Sequence, residues 1–231
     1  MRLFYDENIA TDATTHTLSE EESKHIVRVL RMEQGDQLGL LNGKGGSFTC
    51  EISDAHPKRC ALNVISNNQA EPLNHHIHIA VGPTKQMERL EWFVEKATEI
   101  GITEISLIDC ENGERGKIKI DRLVKKAISA MKQSHGTFLP KINELQKFTD
   151  FISNHPNGLI AHCYENEKND MTAVFKSTDC PILIGPEGDF SQKEIEKALE
   201  NGYKTITLGP NRLRTETAAL YACMQAKLIT L

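Results

Sequence analysis

The sequence predicts an α/β protein of two domains, a small strand-rich barrel followed by a larger layer built on a mainly parallel sheet. Three observations carry that expectation. The chain has 231 residues, 39% hydrophobic and 26% charged, which is ordinary globular composition and enough chain for one or two cores. The first 70 or so residues, roughly half a typical domain, read as short strands broken by one helix. The remainder alternates strand and helix, the grammar of a parallel α/β layer.

In the first domain, Arg2 to Tyr5, Gln37 to Leu41, Ser47 to Ile52 and Ala61 to Ile65 are short and rich in strand formers. Asn42 to Gly46 reads as a hairpin turn. Ser19 with Glu22 is a capping box opening an amphipathic helix to about Met32. Several strands and one helix in so short a stretch suggest a small barrel. Asn67 to Pro72 is polar, ends in proline and reads as a linker, so the boundaries are placed at 1–70 and 74–231.

In the second domain, Ile77 to Val81 is a strand, and Gln86 to Ile100 a helix closed by Gly101. Ile105 to Ile108 is a strand and Asp121 to about Ser134 a helix. Leu159 to Ala161 and Ile182 to Ile184 are strands. Ser191 with Glu194 caps a helix ending near Asn201-Gly202, Thr205 to Leu208 is a strand, and Glu216 to Ile229 is the last helix. That helix is apolar nearly all round, so it is expected to be buried on more than one side, against its own sheet and a second subunit.

No apolar run approaches a membrane span. Met1 to Ala10 lacks the apolar core of a signal peptide. The cysteines at 50, 60, 110, 163, 180 and 223 form no Cys-x-x-Cys pair, so a reduced, cytoplasmic setting is expected. The net charge is −5, but residues 111–147 carry +5 and the rest −10. A local basic patch on an acidic protein can bind RNA, or it can be a solvated helix face.

Weaker motifs have plain alternatives. Asn42 to Ser47 lacks the spacing of a phosphate loop and precedes a strand, so a turn is favoured. No Gly-x-Gly-x-x-Gly follows a strand. His76 and His78 could share one strand face as metal ligands, but no third ligand is evident, so no metal is expected. Cys163 beside His162 could be a nucleophile with its base; nothing completes a triad, and a buried cysteine is preferred.

The informative region is the last third. Two strands each run into a glycine-proline turn: Ile184-Gly185-Pro186-Glu187-Gly188-Asp189, and Leu208-Gly209-Pro210-Asn211-Arg212-Leu213-Arg214. Loops beyond the carboxyl ends of parallel strands form ligand crevices. Glycines let backbone approach a flat ligand and leucines supply an apolar slot.

Gly185-Pro186-Glu187-Gly188, then Leu208-Gly209, then Leu213-Arg214-Thr215-Glu216-Thr217-Ala218, resemble the SPOUT methyltransferases. More narrowly they resemble the ribosomal RNA small subunit methyltransferase E family, which N3-methylates a uridine of 16S rRNA. The likeness covers nearly the whole chain. The run His25 to Arg31, with Gly35-Asp36, is similar to the family's PUA-like RNA-binding domain. Lys96, Glu99, Ile100 (commonly leucine) and Gly101 match its central helix, and Lys132-Gln133-Ser134 a later one. Asp189 departs from the pattern, where a second glycine is common.

The resemblance implies a deep trefoil knot in the second domain, a homodimer through that domain, and S-adenosyl-L-methionine as cofactor. Ile184, Gly185, Gly188, Leu208, Gly209, Leu213, Thr217 and Ala218 would hold the cofactor. Arg214 is the candidate cation beside the uracil carbonyls, or else it is paired with Glu187 or Glu216. Glu187 is a candidate base or a loop brace, and the base stays open. Lys24, Arg28 and Arg31, spaced i, i+4 and i+7 on one helical face, with Arg122, Lys125 and Lys126, would bind 16S rRNA or the small ribosomal subunit. A ribose 2′-O-methyltransferase acting on tRNA, and a non-catalytic RNA-binding assembly factor, are the competing readings.

Overall fold

Alternation builds the first sheet. Every second residue from Gly46 to Ile52 is buried, the period of a strand with one wet face. The computed structural model describes residues 1–113, 118–165, 167–175 and 180–230. Its first unit comprises Met1–Pro72 with Met131–Leu139. Strands β1 (Leu3–Tyr5), β2 (Thr15–Thr17), β3 (Gln37–Leu41), β4 (Gly46–Asp54) and β5 (Ala61–Gln69) form one sheet in the order β1-β3-β4-β5-β2. Only β1 and β3 pair in parallel. Register shifts after Thr49 and Ile52 bend β4, as bulges do. The core gathers Phe4, Ile26, Leu38, Leu40, Phe48, Ile52 and Leu62.

Three local expectations change here. β5 extends through Asn67-Asn68-Gln69, which pair with Phe48, Ser47 and Gly46; backbone pairing overrides poor strand propensity, and the linker starts later. Ser19 Oγ accepts from Glu22 N–H at 3.3 Å, but the Glu22 carboxylate faces His25 Nδ1 at 3.7 Å, so only half of the capping box forms. The helix also does not run to Met32. α1 (Glu20–Lys24) passes into a π-helical turn, His25–Val29. Arg31 then adopts a left-handed φ of +54°. Lys24, Arg28 and Arg31 are all exposed, but they do not share one α-helical face, because the ladder changes between them.

The second unit comprises Leu73–Ala130 and Pro140–Leu231. Its strands are β6 (His78–Val81), β7 (Glu104–Asp109), β8 (Lys141–Lys147), β9 (Leu159–Ala161), β10 (Asn169–Asp170), β11 (Ile182–Ile184) and β12 (Lys204–Thr207). They lie in the order β10-β12-β9-β11-β6-β7-β8, every pair parallel. Helices α2 (Met87–Ile100), α3 (Ile120–Gln133), α4 (Phe148–Asn154), α5 (Met171–Val174), α6 (Gln192–Glu200) and α7 (Thr215–Thr230) connect and follow them. Ala80, Ile108, Phe151, Ile160, Leu183 and Phe190 form a core cluster. Gly101 closes α2 at φ +95°, and Ser191 with Glu194 makes the full capping box of α6.

The short elements β2, β10 and α5 carry too little pattern to be read from sequence. β8 hides behind its composition, since Lys141-Ile-Asn-Glu-Leu-Gln-Lys147 is polar enough for a loop and sits at the sheet edge. α7 is not buried all round in the single chain. It buries Ala219, Ala222, Cys223 and Ala226 and exposes Tyr221, Met224 and Leu228.

Candidate active site

Parallel strands place all their carboxyl ends, and the loops beyond them, on one side of the sheet. β12, β9 and β11 are neighbours in that order. The loops that follow them line a cavity of about 720 Å³, within the usual range for a small-molecule site. The two glycine-proline loops are therefore not on adjacent strands. β9 lies between them and contributes His162 and Cys163 from a third loop that the sequence reading did not include in the site.

Ile184, Gly185, Glu187, Leu208, Gly209, Leu213, Arg214 and Ala218 all line the cavity. Gly209 has φ +107° with nothing within 4 Å of where a Cβ would sit. Its glycine character serves the backbone conformation and leaves that side open to a ligand. Gly188 and Thr217 do not line the cavity. A Cβ on Gly188 would meet Asn112 Cβ and O at 2.9 Å, and Asn112 Nδ2 donates to Gly188 O and Asp189 O, both at 3.2 Å. Gly188 is thus needed for packing against the loop after β7. Thr217 is exposed on the first turn of α7.

Asp189 has φ +61°, which explains why glycine is at home there and why aspartate, tolerant of the left-handed region, can replace it. Its carboxylate accepts from Phe190 N–H and from Cys163 N–H, each at 2.8 Å. It ties the β9 loop to the β11 loop. Cys163 is exposed rather than buried as expected, alone among the six cysteines. Partial burial and the neighbouring Asp189 push its thiol up, away from nucleophilic thiolate character.

The ion pairs to Glu187 or Glu216 that are the alternative for Arg214 do not form. Glu187 Oε1 accepts from Lys85 N–H at 3.1 Å and faces Arg89 Nη1 at 3.9 Å. Glu216 Oε1 faces Arg89 Nε at 3.9 Å. Arg89, on the first turn of α2, also lines the cavity; no local motif marks it. Among the described residues none holds the Arg214 guanidinium, which is exposed. His162 is buried, and neither ring nitrogen has a hydrogen-bond partner. Burial pushes its pKa down. Both nitrogens are themselves closed off from solvent, although the residue contributes to the cavity wall; buried polar atoms without partners are uncommon.

The remaining candidates lie elsewhere. On α3, Arg122 forks onto the Glu91 carboxylate and Lys126 reaches Glu95 at 3.3 Å; Lys125 is exposed. Within the +5 stretch, Glu114, Arg115 and Lys117 lie outside the described residues. His76 Nε2 meets Glu104 Oε2 at 3.1 Å, and His78 Nε2 meets Ser106 Oγ at 2.8 Å; among the described residues no cluster could hold a metal ion. No helix among them is long and apolar enough to cross a membrane.

Residues 71–227 match the family described as RNA methyltransferase domain, and residues 18–65 match the RNA methyltransferase PUA domain. A ribosomal RNA small subunit methyltransferase E of Buchnera aphidicola is 32% identical over 227 residues, covering 89% of this chain and 84% of the relative. The crystal structure of a probable rRNA-methyltransferase from Porphyromonas gingivalis is 40% identical with a TM-score of 0.88, covering 100% of this chain and 98% of that one. A putative methyltransferase from Legionella pneumophila, solved with bound SAM, is 27% identical with a TM-score of 0.84, covering 98% and 96%.

Proposed function

The chain belongs to the ribosomal RNA small subunit methyltransferase E family, and from that premise we propose that it transfers the methyl group of S-adenosylmethionine to N3 of one uridine in 16S rRNA. The observation that carries the chemistry is the cavity at the carboxyl ends of β9, β11 and β12, with Arg214 at its wall and without an ion pair among the described residues.

The residues present fit the cofactor. Gly209 offers open backbone, and Leu208, Leu213 and Ile184 supply apolar surface. Gly185 and Ala218 complete the wall, while Gly188 and Thr217 support the loops from outside it. S-adenosylmethionine supplies a methyl group already activated on sulfonium. The protein's tasks are alignment and the uridine N3 proton. A neutral imide nitrogen has no useful lone pair, so the ring must gain negative charge as it reacts. Arg214, fixed beside a uracil carbonyl oxygen, stabilises that charge without having to leave another partner. Glu187 braces its loop through Lys85 N–H and Arg89.

RNA is held by Lys24, Arg28 and Arg31 in the first unit, with Lys125 on α3, which has no ion pair among the described residues. Arg122 and Lys126 contribute less, because each is already matched to a carboxylate. Tyr221, Met224 and Leu228 lie at i, i+3 and i+7 on α7 and are exposed, as Trp92 is on α2. That apolar surface supports a homodimer. The trefoil knot belongs to the same reading, supported by the family likeness. Mass spectrometry of rRNA nucleosides from a deletion strain tests the function: 3-methyluridine disappears from one 16S position and returns with the gene. Unchanged 3-methyluridine contradicts it.

A further inference from the structure

The π turn of the first unit carries a residue that neither folding nor charge accounts for. Ile26 is fully buried. On an α-helix, position 29, three residues on, returns to the same face. Val29 is instead 67% exposed. The cause is local. Leu30 N–H donates to His25 O and Met32 N–H to Ile26 O. These long closures wind extra chain into the turn, swing Val29 outward and return Leu30 and Met32 to the core cluster. Arg31 follows in the left-handed region at φ +54°.

A π turn and a left-handed arginine are both unfavourable, and both concentrate at functional sites. Their joint effect is to set one β-branched apolar side chain in water among cations. Lys24, Arg28 and Arg31 are exposed, and no acidic residue falls between Glu22 and Glu33. Among the described residues none of the three cations has an ion-pair partner. A solubilising face has no use for an outward valine, and phosphate binding alone has none either.

We propose that Val29 is an apolar contact for an unpaired nucleobase of the RNA, with Lys24, Arg28 and Arg31 on the flanking phosphates. This rests on the RNA-directed reading above. Single-stranded RNA is read through splayed bases packed on side chains, while cations position the backbone. Charge complementarity selects RNA as the occupant, and the outward apolar group distinguishes base contact from backbone contact.

The test is a salt titration of binding to an unmethylated 16S rRNA transcript and, in parallel, to small subunits from a deletion strain. Val29→Thr should weaken transcript binding about fourfold and Val29→Ala about tenfold, the sizes of losing one and two buried methyl groups, with the slope of log affinity against log salt unchanged. Val29→Ile should bind within about twofold of wild type on the same scale. Arg28→Ala should instead flatten the slope by about 0.7, one phosphate contact on a single strand. Melting temperatures should not move, since Val29 is exposed. Wild-type affinity in both Val29→Ala and Val29→Thr overturns the proposal, as does a slope change like that of Arg28→Ala. Weakening seen with subunits and not with the transcript assigns Val29 to a protein contact and also overturns it. Absence of binding by the wild-type protein to either probe removes the RNA-directed reading itself.

Discussion

The two ends of the second unit's sheet treat polar groups in opposite ways. At the amino end, His78, Glu104 and Lys141 open β6, β7 and β8 in register. Glu104 accepts from Lys141 Nζ at 3.0 Å and Asn143 Nδ2 at 2.7 Å and meets His76 at 3.1 Å. Ser106 Oγ joins Asn143 and His78, both at 2.8 Å. His78 also packs edge-on against Phe151 and His155. At the carboxyl end, Arg214 has no ion-pair partner among the described residues, and Asp189 and Gly209 hold positive φ. A closed network serves the fold, whereas open valences and left-handed backbone await a ligand.

The largest expected effect breaks the carboxyl end. Arg214→Ala should lower the single-turnover methylation rate roughly 100- to 1000-fold at saturating RNA and cofactor, about 3 to 4 kcal/mol for a preorganised donor. Its melting temperature should hold, because no ion pair is lost. Arg214→Lys should recover only part, lacking the planar fork. Turnover near wild type would move the catalytic role elsewhere.

The amino end should answer to pH instead. Burial holds the pKa of His78 down to about 4 from 6.5. Its folded value is depressed, so its contribution is complete above pH 6.5 and is lost as pH falls toward 4. The loss reaches up to roughly 3 kcal/mol. Burial pushes Glu104 up, but hydrogen bonds from Asn143 and Lys141 and the nearby His78 outweigh it and leave its pKa at about 2. A second loss then runs from pH 4.5 toward 2. Unfolding free energies measured across this range should show both windows. In His78→Gln the upper one should vanish while cofactor affinity stays the same.

Two smaller changes sharpen the contrast. Gly209→Ala forces a Cβ onto φ +107° and should weaken S-adenosylmethionine binding by about tenfold in calorimetry, with little change in melting temperature, since strain of this kind is worth 1 to 3 kcal/mol and here falls on an exposed loop. Asp189→Gly keeps the left-handed backbone but loses the acceptors for Cys163 and Phe190 N–H. About threefold to tenfold weaker cofactor binding should follow, and Asp189→Asn should fall between that and wild type, because its one amide oxygen replaces one of the two acceptors while its NH2 faces the other N–H.

What the sequence made legible at each end follows the range of the physics. Gly101 as a left-handed cap, Ser191 with Glu194 as a capping box, and the glycine-proline loops are local signatures, and each is where it was expected. The insertion of β9 between β11 and β12 is set by long-range strand order, to which periodicity is blind. His162 and Cys163 entered the cavity by that route. Arg89 is one arginine on an amphipathic helix until folding brings it to Glu187 and Glu216. The π turn escaped because Ser19 to Met32 has a sound α-helical pattern, and only the ladder shows that one residue is turned out.

Purified protein, unmethylated 16S rRNA or small subunits, and methyl-labelled S-adenosylmethionine give the most direct test of what the carboxyl end is for. The label should enter one site of 16S rRNA, the digested nucleoside should be 3-methyluridine, and Arg214→Ala should suppress that product while still binding cofactor. Label recovered as a ribose 2′-O-methyl nucleoside, or no incorporation by a protein that binds both ligands, would contradict the account.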